Sequence, residues 1–134
     1  MKPFNFDPDM KALISGAFYP TNHSMVMFPD ENDAKAVAER LKAENIGDGD
    51  VYFIPAAVIL SQITPTLQGD DDPLPSVGTD GATVRAFTEL ARKGHVALLV
   101  KTPEAESAEK LMEVVRTVRY SIAQRYRMLV IEDL

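Results

Sequence analysis

The sequence predicts an α+β fold of the split βαβ type, in which one strand–helix–strand unit is used twice around a single sheet. Two observations predict it. Apolar strands at 24–28 and 51–54 flank an amphipathic helix near 30–45, and strands at 96–100 and 126–131 flank a second helix near 102–118. The strands are also apolar at successive positions, so both faces of the sheet need cover. At 134 residues the chain fits one domain, long enough to bury roughly two-thirds of its unfolded surface without staples.

Each element has its own signals. Residues 1–23 form an N-terminal extension with a short helix, capped by Asp7, opened by Pro8 and lined by Met10, Leu13, Ile14 and Ala17. Gly16 interrupts it, and a strand through 13–18 is the rival reading. Asp30 caps the first plait helix, Ala34, Val37, Ala38 and Leu41 form its apolar stripe, and Gly47 follows its end. Residues 55–94 form a helical insertion between the halves. Pro55 opens its first helix, 64–79 is a long loop, and Asp80 caps a helix with Val84, Phe87, Leu90 and Ala91 inward and Gly94 as its stop. In the second unit Thr102 is the expected cap, Pro103 the first helical residue, and Ala108, Leu111, Met112 and Val115 the stripe.

Composition narrows the function classes. No apolar run reaches the ~18 residues of a membrane span, and the first residues carry no secretory core, so a cytoplasmic protein without a membrane partner is expected. The absence of cysteine excludes disulfides, thiolate catalysis and iron–sulfur clusters. A net charge of −6 opposes attraction to phosphate backbones, so no nucleic-acid partner is expected.

Two-faced apolar strands also imply that something covers the side the plait helices leave open. A second copy of the chain is the preferred cover, making a homo-oligomer, most simply a dimer, the expected state. The insertion is the alternative cover.

Candidate sites are few. Arg116, Arg119, Arg125 and Arg127, with Tyr120 and Tyr126, form a basic stretch without an acid between Glu113 and Glu132. Guanidinium forks grip carboxylates and phosphates, so these six residues are the candidate site for a small anionic ligand. Structural cations and salt bridges are the competing reading. His23, Met25 and Met27 share a strand face in a pattern that suits copper(I), but core methionines explain it better. In the topology implied by the resemblance given below, His23 and His95 begin antiparallel strands and stand about 15 Å apart, too far for a shared metal. Asp70, Asp71 and Asp72 lack the spacing of a calcium loop, and the segment 78–83 lacks the strand and lysine of a phosphate loop. No serine sits in a nucleophile elbow. No metal, cofactor or catalytic residue is expected.

The stretches 84–95, 112–116, 123–126 and 131–134 together resemble small bacterial proteins of uncharacterised function related to the general-stress-protein group. The resemblance covers roughly residues 24–134 and implies a ferredoxin-like core with a four-stranded, mainly antiparallel sheet. It implies no catalytic residue. The expected function is a non-catalytic, self-associating cytoplasmic module, stress-related, that binds a small ligand or a protein partner. The alternative is a small oligomeric enzyme of dimeric α/β-barrel type, with its pocket between sheet and insertion.

Overall fold

A computed structural model describes residues 1–12, 16–67 and 80–134. Its centre is a mixed sheet of six strands: β1 (Lys2–Pro3), β2 (His23–Phe28), β3 (Val51–Ile54), β4 (Val96–Lys101), β5 (Ile122–Tyr126) and β6 (Ile131–Asp133). Their spatial order is β1-β3-β4-β2-β5-β6, with β1 parallel to β3 and every other neighbouring pair antiparallel. The helices are α1 (Glu31–Ala43), α2 (Ala56–Val58), α3 (Asp80–Arg92) and α4 (Ala105–Val115). A π turn at Ile59–Ile63 and a 3-10 turn at Thr64–Thr66 continue α2.

Helices α1 and α4 cover one face. Ala34, Val37, Ala38 and Leu41 from α1 meet Leu111, Met112, Val114 and Val115 from α4 over Val26, Phe28, Leu98 and Val100. Asp30 caps α1 as its sequence indicates, its carboxylate accepting the Asn32 N–H at 2.7 Å. Gly47 takes a φ of +83°, and a Cβ there would stand 2.9 Å from Val100 Cγ1, so both its backbone and its small size are needed.

The opposite face is equally apolar, and the chain covers it with its own insertion and N-terminal segment. Met25, Met27, Ala97 and Leu99 pack beneath Ile59, Ile63, Val84, Phe87 and Ala91, with Phe4, Phe18, Tyr19 and Tyr126 completing the layer. The N-terminal segment is tied to the insertion by main-chain donors: Phe6 N–H to Gln62 Oε1 and Phe18 N–H to Thr66 Oγ1, each 2.9 Å. The face that called for a second copy is thus filled from within. The apolar reading of the strands holds, but its consequence falls on the insertion.

Several expectations are corrected. The sheet has six strands, because the N-terminal extension contributes β1 and the last segment contributes two strands instead of one. The expected strand at 126–131 is the turn of a hairpin: Arg127 N–H donates to Val130 O at 2.8 Å, and β5 pairs with β6 across it. Its two central residues are Met128 and Leu129, neither with positive φ, so the Asn-Gly signal of a tight hairpin is missing. These residues are 80% and 90% exposed, against the buried positions their hydrophobicity suggested.

Helix starts also move. Thr102 does not cap α4: its buried hydroxyl bonds Ser24 Oγ at 2.6 Å, and Glu104 is the N-cap instead. Asp80 is a helical residue of α3 and the first one described there, the residue before it lying outside the described residues. Asp7 does cap a helical turn, but a 3-10 turn of only Pro8–Met10, and Pro55 is the N-cap of α2. The readings at 13–15, Asp70, Asp71, Asp72 and 78–79 lie outside the described residues. Among the described residues no helix is long and apolar enough to cross a membrane.

Candidate functional site

Strand β5 sends Ala123 and Arg125 toward the α4 face and Tyr126 toward the insertion. Arg125 is 7% exposed, and burying a guanidinium demands partners for it. Its Nε donates to Thr102 O and one terminal nitrogen to Pro103 O, both at 3.2 Å. The other terminal nitrogen meets Glu132 Oε1 at 2.8 Å across the β5–β6 pair. Together with the Ser24–Thr102 bond, this network fastens the segment leading into α4 to the last two strands.

Beyond that network, α4 and β6 stand apart and leave a groove of ≈ 520 Å³. Its helical wall is the stripe Ala105, Ala108, Glu109, Met112, Glu113 and Arg116, and its other wall is Glu132 and Leu134. Ala108 and Met112 are buried and Leu134 is half-buried, which makes the floor apolar. Glu109 and Glu113 are exposed on the rim, one helical turn apart, with no ion-pair partner among the described residues. The groove is apolar below and mainly acidic above.

The six residues read as an anionic-ligand site do not come together. Arg116 lies at the C-cap of α4 and lines the groove, while Arg125 is already spent on three oxygens. Arg119 is exposed, and Tyr120 packs half-buried against the α1–α4 core. Arg127 sits at the hairpin turn, exposed, with its carbonyl accepting the Tyr19 hydroxyl. Tyr126 lies on the opposite face, wholly buried, with its ring edge-on to Tyr19 at 4.8 Å and Phe18 at 6.0 Å. Burial pushes its phenol well above the ordinary tyrosine value, and the negative charges of Asp80 and then Tyr19 add to the effect. Tyr19 is raised too, by burial first and Asp80 second.

A second hollow, ≈ 440 Å³, lies beside the hairpin turn between Lys11, Ala12, Tyr19, Thr21, Asp80, Met128 and Leu129. The histidines stand at opposite ends of the β2–β4 pair, as their strands required. His23 Nδ1 donates to Thr21 O at 2.9 Å, and His95 Nδ1 meets Ser121 Oγ at 2.6 Å. Met25 and Met27 are core residues. Among the described residues no three His, Asp or Glu side chains gather where they could hold a metal ion.

Glu109, Glu113, Glu132 and Leu134 were absent from the sequence-derived site. One signal pointed to the first two of them. Like charges at i and i+4 on a helix repel, so the Glu109–Glu113 pair weakens α4 where Glu106–Lys110 supports it, and such a pair suits an external cation. No protein-family model matches the chain, and no curated protein or solved structure matches it significantly.

Proposed function

We propose that this protein is a non-catalytic binding module with a ferredoxin-like core, whose recognition site is the groove between α4 and β6. The observation that carries the reading is an apolar floor ringed by acids. Such a groove supplies burial for affinity and charge for selection. Between the two partner classes that the sequence suggested, it favours a protein segment over a small anion. Among the described residues the rim carries two unpaired carboxylates, Glu109 and Glu113, and one uncommitted cation, Arg116, while Glu132 is paired with Arg125, so the rim is net negative and disfavours an anionic ligand. The central strands lie in the order β3-β4-β2-β5 with α1 and α4 on one face, which supports the ferredoxin-like core. A stress-related role is what the resemblance noted above implies, and a cytoplasmic setting is the expectation from composition.

Self-association through the sheet face loses its motive, because the insertion fills that face. The space where an enzyme of dimeric α/β-barrel type would hold its pocket is likewise occupied, by Met25, Met27, Ile59, Ile63 and Phe87.

A peptide display selection tests the proposal. The wild-type protein should enrich a family of binding peptides, and Ala105→Trp, which fills the groove from an exposed position, should weaken them at least tenfold without changing the melting temperature. Peptides that bind both proteins equally place recognition elsewhere.

A further inference from the structure

We propose that the partner binds as an added β-strand along the open edge of β6, with lysine or arginine side chains laid across the α4–β6 groove. This rests on the groove being the recognition site, and it names what the groove takes: an extended basic segment of another protein.

The edge itself is the first observation. Leu134 N–H donates to Ala123 O at 3.0 Å and Arg127 N–H to Val130 O at 2.8 Å. Main-chain groups alternate direction along an antiparallel pair, so Val130, Glu132 and Leu134 spend theirs on β5. Ile131 and Asp133 therefore turn their N–H and C=O groups away from the sheet. Among the described residues nothing pairs with β6 on that side. The opposite edge of the sheet is different. There β1 is two residues long and ends on Pro3, which has no N–H to offer.

The second observation is that the open edge and the groove adjoin. Glu132 and Leu134 point to the α4 side, so a strand added beside β6 would set every second side chain over the groove. A lysine or arginine there lays its methylene stem on Ala108, Met112 and Leu134 and carries its charge to Glu109 and Glu113. Residues between them lie on the Ile131 side, which belongs to the insertion-side core and suits β-branched residues.

Charge also argues against a second copy as occupant. A two-fold pairing of β6 with itself would oppose Glu132 to its own counterpart and double the acidic rim, in a chain of net charge −6.

The probe is a fluorescein-labelled peptide alternating lysine and valine. Controls replace lysine by glutamate, or N-methylate one or the other alternate set of its amides. Fluorescence anisotropy should show binding of the lysine peptide and none of the glutamate peptide. N-methylation of one amide set should abolish binding, and of the other set should leave it within threefold, because only one set faces β6. Asp133→Pro removes an outward N–H and should weaken binding at least tenfold. If Ala105→Trp weakens binding but neither N-methylation pattern does, the groove is the site and strand addition is wrong. If Ala105→Trp has no effect on a lysine peptide that binds, both readings fall; if the lysine peptide does not bind at all, the basic-strand proposal falls and the display selection alone decides the groove. Sedimentation of the protein alone closes the remaining route: a dimer that Asp133→Pro dissociates would make the occupant a second copy and overturn the proposal.

Discussion

The two faces of the sheet bury comparable sets of large apolar side chains under very different roofs. Over Val26, Phe28, Leu98 and Val100 lie two regular helices, each with one continuous stripe. Over Met25, Met27, Ala97 and Leu99 lie the long helix α3, a short helix that passes into a π turn and a 3-10 turn, and an extended N-terminal segment. A hydrophobic face therefore specifies that it must be covered, but not by what. Regular cover comes from periodicity within one helix, as in α1, α4 and α3, and the rest of the second roof from short pieces beside α3, each too small to show a period.

Adjacent residues of β4 provide the sharpest test of that contrast. Leu98 and Leu99 are both 0% exposed and point to opposite faces. Leu→Ala in a core costs about 2–5 kcal/mol, with the spread set by how far the surroundings close on the cavity. Leu98→Ala, beneath rigid helices, should cost about 4 kcal/mol, and Leu99→Ala, beneath jointed pieces that can settle, about 3 kcal/mol. Urea unfolding measures both. A cost below about 1 kcal/mol for Leu99→Ala would mean that the insertion does not seal its face, restoring the motive for a second copy.

The same contrast governs what the sequence disclosed. Helix α1 was legible down to its cap, since Asp30, the Ala34–Leu41 stripe and Gly47 are all local signals. The start of α4 was not, because Thr102 looks like a cap and only the distant Ser24 and Arg125 engage it otherwise. The last hairpin was hidden by Met128 and Leu129, whose hydrophobicity reads as strand and whose exposure depends on the turn. Of the candidate site, Arg116 and Arg125 looked alike in sequence, yet Arg116 lines the groove and Arg125 turned out to be internal wiring. The groove depends on where α4 stops short of β6, a gap between elements that no single segment encodes.

Arg125 joins the regular roof to the sheet edge, so its loss should be the next largest effect. Arg125→Met leaves Thr102 O, Pro103 O and Glu132 without their donor and should cost about 3 kcal/mol. Glu132→Gln keeps an acceptor and retains access to water, so it should cost about 1 kcal/mol. Double-mutant cycles on urea unfolding check the coupling between them. Equal costs for the two would mean that Arg125 acts only through Glu132, and the fastening of the α4 segment would lose its support.

The smallest effect should have the opposite sign, and it belongs to the irregular side. The Tyr126 hydroxyl is wholly buried and has no hydrogen-bond partner among the described residues. An unsatisfied buried hydroxyl costs about 1–3 kcal/mol, so Tyr126→Phe should stabilise the protein by about 1 kcal/mol at pH 7 while keeping the ring contacts with Phe18 and Tyr19. Alkaline pH gives an independent reading. The folded phenol is raised well above the ordinary value of 10.0 by burial and by Asp80, so the unfolded chain releases this proton first. Below the unfolded value both states hold the proton and stability is level; above it the unfolded state binds fewer protons, and stability falls as pH rises. Tyr19, raised for the same reasons, adds a smaller slope of the same sign. Tyr126→Phe should therefore widen its advantage over the wild type above about pH 10. Loss of stability in Tyr126→Phe at pH 7 would instead show that the hydroxyl has found a donor or acceptor, so that this side of the sheet is as fully wired as the other.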